Sequence, residues 1–247
     1  MGVHALIWVR YFFNHQPCYI SSVRFADILP TRQIDSHDDK WMTRRDSLIS
    51  TLQNNPKAKF VTRAVQFGFV PLTDRVVSAN QLTSLVQSVQ NNLSSFGIPV
   101  TVSERASGYQ SISGAQSVLD AVDFVDLIML PYEENPTATT ANNSWSFIED
   151  NVNWIVSNAN GKKIILSVNS WPSAAVPIID ISPSASATVQ EMQDYFTMLD
   201  SNCQAFKDAA GGGIGWFAHA YSVEQVLDYG ILKGGQPQFP FSPQTSC

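Results

Sequence analysis

The chain is poor in charge. Asp, Glu, Lys and Arg make up 15% of its 247 residues, 21 acidic against 15 basic, for a net charge of −6. No basic block occurs, so it lacks the electrostatic footprint of a phosphate-tracking protein, and no nucleic-acid partner is expected. The acidic balance fits neutral partners such as sugars. No run of about 18 uninterrupted apolar residues is present, so no membrane span is expected. No GxGxxG or P-loop motif follows a strand-like run, which argues against nucleotide binding, and no cofactor is expected. His4, His15, His37 and His219 form no ligand-spaced cluster, so no metal site is expected. The start, MGVHALIWVRYFF, is apolar but broken by Arg10. It has no basic lead and no clear cleavage site, and is not read as a secretion signal.

Cysteine is scarce as well. The three are Cys18, Cys203 and Cys247, and an odd count suggests one pair and one leftover. A Cys203–Cys247 bridge would pin the C-terminal tail and suit an oxidising compartment. Three reduced thiols are the alternative, and spacing does not choose between them. Asn92-Leu-Ser94 and Asn142-Asn-Ser144 match the glycosylation triplet, a short motif that also arises by chance.

What is present is apolar residue in regular alternation. Lys59–Phe67, Ile98–Ser103, Val125–Leu130, Lys163–Ser167 and Gly213–Ala218 read as short strands buried on both faces, and Ala5–Trp8 as a sixth. Between them lie helical stripes. Leu82, Leu85, Val86, Val89 and Leu93 form one, with Ser78 and Gln81 as a capping box and Gly97 as the stop. Trp145, Ile148, Val152 and Ile155 form another, closed by Gly161. Met192, Phe196, Leu199, Cys203 and Phe206 form a third. Strand–helix alternation with right-handed crossovers means an α/β fold, either an open doubly wound sheet or a barrel, and periodicity alone does not choose. Residues 9–35 carry neither period. A structureless stretch of that length inside a compact domain signals an insertion or a wrong assignment.

Barrel enzymes place their chemistry at the C-terminal ends of strands. Here those ends contain Val70, Glu104, Tyr132, Val168, Trp171, Trp216 and His219. Aromatic faces can stack on the apolar faces of sugar rings, so a sugar groove is one reading. Aromatic residues that simply fill the core are the other.

Several segments resemble fungal members of glycoside hydrolase family 17. In order they are ALIW (5–8), NPKAKFVTRAVQFG (55–68), IPVTVSE (98–104), KKIILSVNSWPS (162–173) and GGGIGWFAHAYS (211–222), with the tail FPFSPQTSC (239–247). The resemblance covers nearly everything except residues 9–35. It implies a (β/α)8 TIM barrel, a secreted or cell-wall location, and retaining hydrolysis or remodelling of β-1,3-glucan. Retention needs two carboxyl groups roughly 5–5.5 Å apart. The family's acid/base lies in a segment like FGSEP, which here reads Phe67-Gly-Phe-Val70-Pro. Its nucleophile lies in a segment like LSENGWPS, which here reads Leu166-Ser-Val168-Asn-Ser-Trp-Pro-Ser. Both glutamates are therefore valine, and no catalytic residue is assigned. Valine can neither attack an anomeric carbon nor give a proton, and losing general acid catalysis alone costs about 10²–10⁴-fold. The resemblance implies a substrate-binding set of Glu104, Tyr109, Tyr132, Trp171, Trp216 and His219. Glu104 ends the neighbouring strand and reads as a groove-lining hydrogen-bond partner, Glu133 and Glu134 follow the sixth-strand position, and one such carboxylate would not recreate the pair.

Family members place ALIW near the end of the third strand. The resemblance therefore implies a single domain, residues 1–247, truncated at its N-terminus to about six β/α units. An open barrel edge would invite oligomers or aggregates. Family members run almost directly from ALIW into an acidic stretch, matched here by SHDDKWMTRRD, so the excess is roughly Val9–Gln33. Valine codons begin GT, one glutamine codon ends AG, and Ala26-Asp27 can encode a branch site. The stretch therefore reads as a translated intron, with Cys18 inside it. A family-specific loop is the alternative, and the full-length transcript decides between them. Three functional readings are compatible with these residues: a decayed, inactive β-1,3-glucan hydrolase; a glucan-binding pseudoenzyme using the aromatic groove; and an active enzyme using a displaced carboxylate.

Overall fold

The computed structural model describes residues 40–175, 185–223, 228–244 and 247. The expected strand Ala5–Trp8, the irregular segment 9–35 and Cys18 lie outside the described residues. Five strands form one sheet in sequence order, β1-β2-β3-β4-β5, and the β1–β2 and β4–β5 pairings are parallel. Parallel neighbours need a crossover, and helices supply it. The residues gather into two compact units, and the chain passes from one to the other within β3.

The first unit holds α1 (Lys40–Asn54), α2 (Pro56–Val61), β1 (Val65–Phe69), α3 (Ala79–Leu93), β2 (Val100–Arg105), α4 (Ala106–Ser111) and α5 (Ala115–Ala121), and the first residues of β3 (Val125–Met129). The strand expected over Lys59–Phe67 is corrected here. Its first residues finish α2, and the strand starts at Val65. The cause is local. Asn55 accepts from the amides of Lys57 and Ala58, and Pro56 stands at the first helical position, where its missing N–H costs nothing. The capping box of Ser78 and Gln81 starts α3, which buries Ala79, Leu82, Val86, Val89 and Leu93 on one face. Thr83 Oγ1 and Ser117 Oγ (2.8 Å), and Gln90 Nε2 donating to Ala121 O (2.8 Å), tie α3 to α5.

The second unit holds α6 (Pro131–Glu134), α7 (Trp145–Asn158, less its last residue), β4 (Ile164–Asn169), α8 (Val189–Ser201), α9 (Cys203–Asp208), β5 (Ile214–Ala218), and the short antiparallel pair β6 (Leu232–Lys233) and β7 (Gln236–Pro237). The single stripe read over Met192–Phe206 is two helices, separated at Asn202, whose backbone leaves the helical region. The aromatic side chains form the core. Phe196 stacks on Trp216 at 5.6 Å and meets Phe239 and Phe241 of the tail at 6.3 and 5.2 Å. Cys203 and Cys247 form a disulfide with Cα atoms 5.8 Å apart, and Gln244 N donates to Asp200 Oδ2 at 3.0 Å. Packing, a covalent link and a hydrogen bond thus hold the tail on α8 and α9.

Candidate functional site

Val70 follows the end of β1. Its strand does not run evenly into it: Gln66 pairs with Thr101 and Phe69 with Ser103, so three steps on β1 match two on β2. A one-residue slip of this kind bends a strand and re-aims the side chains beyond it. Gly68 takes a positive φ of 94°, and Val70 itself has φ 48°. A β-branched residue in the left-handed region is an outlier that costs about 1–3 kcal/mol and persists only when its surroundings over-determine it.

Glu104, the penultimate residue of β2, supplies that determination. Its Oε2 accepts from the amides of Leu72 (2.7 Å) and Thr73 (3.3 Å). Its Oε1 accepts from Thr73 Oγ1 (2.7 Å) and from its own neighbour's amide, Arg105 N (2.8 Å). Val70 N donates to Ser103 O at 2.8 Å. Gly108 of α4 comes so close that a Cβ there would lie 2.8 Å from the carboxyl carbon of Glu104. Glu104 is 0% exposed. Burial raises its pKa, with the four donors working against that rise. Its carboxylate therefore fastens the loop after β1 and has no exposed oxygen for a sugar. Tyr109 is buried beside it. Burial first, then the charges of Glu104 and Asp126, push its hydroxyl well above the ordinary tyrosine range.

Val168 lies inside β4, and the register slips there too. Leu166 pairs with Trp216 and Asn169 with Ala218, so three steps match two. Val168 is 7% exposed and Val70 6%. Tyr195 OH donates to Asn169 Oδ1 at 2.5 Å, and His219 N donates to Asn169 O at 3.1 Å. Polar atoms without a hydrogen-bond partner among the described residues mark both strand ends: Ser103 Oγ and Tyr109 OH in the first unit, Ser167 Oγ and Asn169 Nδ2 in the second. Natural proteins pair such groups, so each one needs a reason.

The aromatic residues read from the strand ends sit deep. Trp171 is 0% and Trp216 1% exposed. Trp171 packs edge-on against Tyr132 at 5.3 Å and lies 6.3 Å from Tyr195. Its indole N–H donates to Ser186 O at 2.8 Å. Tyr132 is buried too, and only His219 of the expected binding set is partly exposed. A buried ring presents no face to a sugar, so the core reading describes these aromatic residues. Glu133 is buried and accepts from Tyr229 OH at 2.9 Å, while Glu134 accepts from Leu130 N at 3.1 Å. Among the described residues no group of three or more His, Cys, Asp or Glu could hold a metal, and no helix is long and apolar enough to cross a membrane. Sequence reasoning missed Thr73 and Tyr195. Nothing in the spacing links Thr73 to Glu104, 31 residues on. No spacing links Tyr195 to Asn169, which closes β4 two residues beyond the strand expected from the sequence.

A parallel sheet in sequence order, with helices in the crossovers, is the (β/α)-barrel type of fold. Solved structures with that fold are similar to it. A family 17 β-1,3-glucanosyltransferase from Rhizomucor miehei is similar with a TM-score of 0.64 at 18% identity, over 81% of this chain and 72% of that one. An active-site mutant of the Rhizomucor miehei β-1,3-glucanosyltransferase, in complex with laminaritriose, matches at TM-score 0.66 and 18% identity, over 83% and 73%. An endo-β-1,3-glucanase of family 128 from Amycolatopsis mediterranei matches at 0.52 and 14%, over 78% and 75%. No family model matches the chain, and no curated protein matches it in sequence.

Proposed function

We propose that this chain is a decayed β-1,3-glucan hydrolase of family 17 type, without hydrolytic activity. One observation carries the reading: a register slip near the end of β1 leads to Val70, and a register slip within β4 spans Val168. Slips of this kind cluster beside active sites because they aim a side chain. Here they aim hydrocarbon, which neither protonates a leaving oxygen nor attacks an anomeric carbon. The left-handed backbone at Val70 supports the same reading, since strain at a functional position is retained by its surroundings. So do the hydroxyls of Ser103 and Tyr109 and the amide nitrogen of Asn169, which have no hydrogen-bond partner among the described residues. The glucan ligands of the solved relatives suggest the ancestral substrate.

Reducing-sugar release from laminarin tests the proposal. The chain is expected to release none above background, and so are Val70→Glu and Val168→Glu alone. The two together are expected to restore turnover. Release by the unaltered chain would overturn the assignment of the valines. The glucan-binding reading is weakened by the burial of Trp171 and Trp216. Retention of the chain on insoluble β-1,3-glucan would revive it.

A further inference from the structure

Three asparagines in the chain have Ser or Thr two positions on: Asn92, Asn135 and Asn142. The glycosylation triplet excludes proline in the middle, which removes Asn135-Pro-Thr137. The structure sorts the three in the same way. Asn135 is buried, and its Oδ1 accepts from both the amide and the hydroxyl of Thr137. Asn92 and Asn142 are exposed. In each of their triplets the middle residue does structural work while the first faces water. Leu93 is buried as the last core residue of α3. Asn143 accepts from Thr139 N and Thr140 N and donates to Thr139 Oγ1, holding the short turn that carries Asn142. A bulky, hydrophilic group on either acceptor would meet solvent and leave the core unchanged.

A second observation points to the same compartment. The Cys203–Cys247 disulfide belongs to an oxidising environment, and such bonds are rare where thiols are kept reduced. We propose that Asn92 and Asn142 are N-glycosylation acceptors, modified while the chain enters a secretory compartment. The donor class is an oligosaccharide linked to a lipid diphosphate. The Asn Nδ2–C1 bond forms at the sugar as the C1–O bond to the diphosphate breaks. The diphosphate leaves with the electron pair, and Nδ2 gives up one proton. The secondary amide at Asn92 keeps one N–H, enough for its bond to Ser88 O at 2.8 Å. Ser144, the hydroxyl residue of the second triplet, is 0% exposed in the folded chain and donates to Thr140 O. Attachment at Asn142 therefore precedes folding.

The test is to secrete the full chain from a eukaryotic host behind a secretion leader. Amide-cleaving glycosidase is then applied, and the two peptides are mapped by mass. Two downward steps in apparent size are expected, with Asp appearing at positions 92 and 142. Asn92→Gln and Asn142→Gln should each remove one step, and the double variant both. Because attachment precedes folding, translation into microsomes gives the same readout for any variant that fails to fold. An unmodified amide at either position, in secreted chain whose Cys203–Cys247 bond has formed, overturns the assignment of that residue. Activity on glucan does not enter the readout, so this result is independent of the hydrolase reading.

Discussion

The two strand ends that carry the valines are built in different ways. At β1 the backbone leaves the strand, turns left-handed at Val70, and is fastened by a buried carboxylate that takes four donors. At β4 the valine stays within the strand, and the polar residue after it is held by Tyr195. A valine side chain therefore meets different demands at the two places. In β4, valine suits its setting, since β-branched side chains fit a pleated surface. At position 70 the same side chain meets a backbone it disfavours. The strain is tolerated because the determination comes from elsewhere in the unit, from Glu104, and does not depend on residue 70.

The largest effect should come from removing that determination. Glu104→Ala removes the acceptor from the buried amide of Leu72 and from the partly buried amides of Thr73 and Arg105 and hydroxyl of Thr73. A stranded buried group costs roughly 1–3 kcal/mol and a partly exposed one less, so a loss of about 3 kcal/mol is expected in denaturant unfolding. Hydrogen exchange should quicken at Leu72 and Thr73 first. A loss below about 1 kcal/mol would show that the loop after β1 holds itself, and would remove the contrast between the two ends.

The second unit has its own fastening, the disulfide between Cys203 and Cys247, 44 residues apart in sequence. Cys247→Ser is expected to lower stability by roughly 2–4 kcal/mol, mainly through the freedom given to the unfolded chain. The tail aromatics Phe239 and Phe241 still pack on Phe196, so the loss should stay at the lower end. Protease resistance of residues 239–247 checks it. A tail as resistant in the variant as in the parent would mean that aromatic packing and the Gln244–Asp200 hydrogen bond secure this region without the disulfide.

The valines themselves give a closer comparison. Val168→Ala deletes two methyl groups from a buried strand position and should cost about 2 kcal/mol. Val70→Ala deletes the same groups but also relieves a β-branched side chain in the left-handed region, so it should cost about 1 kcal/mol less. Unfolding midpoints of the two variants, measured side by side, decide this. Equal losses would show that residue 70 carries no strain worth the name.

These contrasts also mark how much could be read from sequence. The strands β2 to β5 were legible because a buried parallel strand is a short apolar run, and such runs stand out between amphipathic helices. Lys59–Phe67 misled because its apolar residues continue a helix that Asn55 and Pro56 start, and caps outweigh a short run. The motifs around Val70 and Val168 drew attention to two strands whose register slips. The attachments of those positions were not legible. Glu104 ends a strand-like run and looks like a groove carboxylate, yet its partners lie 31 and 32 residues away and are mostly backbone amides, which no side-chain pattern records. Trp171 and Trp216 looked like sugar platforms for the opposite reason. Their motif is conspicuous, whereas their burial depends on packing among Tyr132, Tyr195 and Phe196 that spacing does not encode.

The smallest expected effect is on pH dependence, and it separates the two units once more. Burial lifts Glu104 above the ordinary glutamate range, and Tyr109 and Asp126 share its interior. A carboxyl whose folded pKa exceeds its unfolded value takes up its proton first in the folded chain. Its contribution to stability is then fully present below the unfolded pKa and is lost as pH rises through the folded one. Asp200, in the second unit, is raised in the same direction by burial, with the amide of Gln244 opposing it, but it is only partly buried. Glu104→Gln should therefore flatten the pH profile of the unfolding midpoint above the ordinary carboxylate range. It should also lower stability at every pH, because an amide NH₂ turned toward Leu72 and Thr73 cannot accept. Asp200→Asn should flatten the profile less, since water screens its charge. If Asp200→Asn flattens it as much as Glu104→Gln does, the buried carboxylate behind Val70 is not what distinguishes the first strand end from the second.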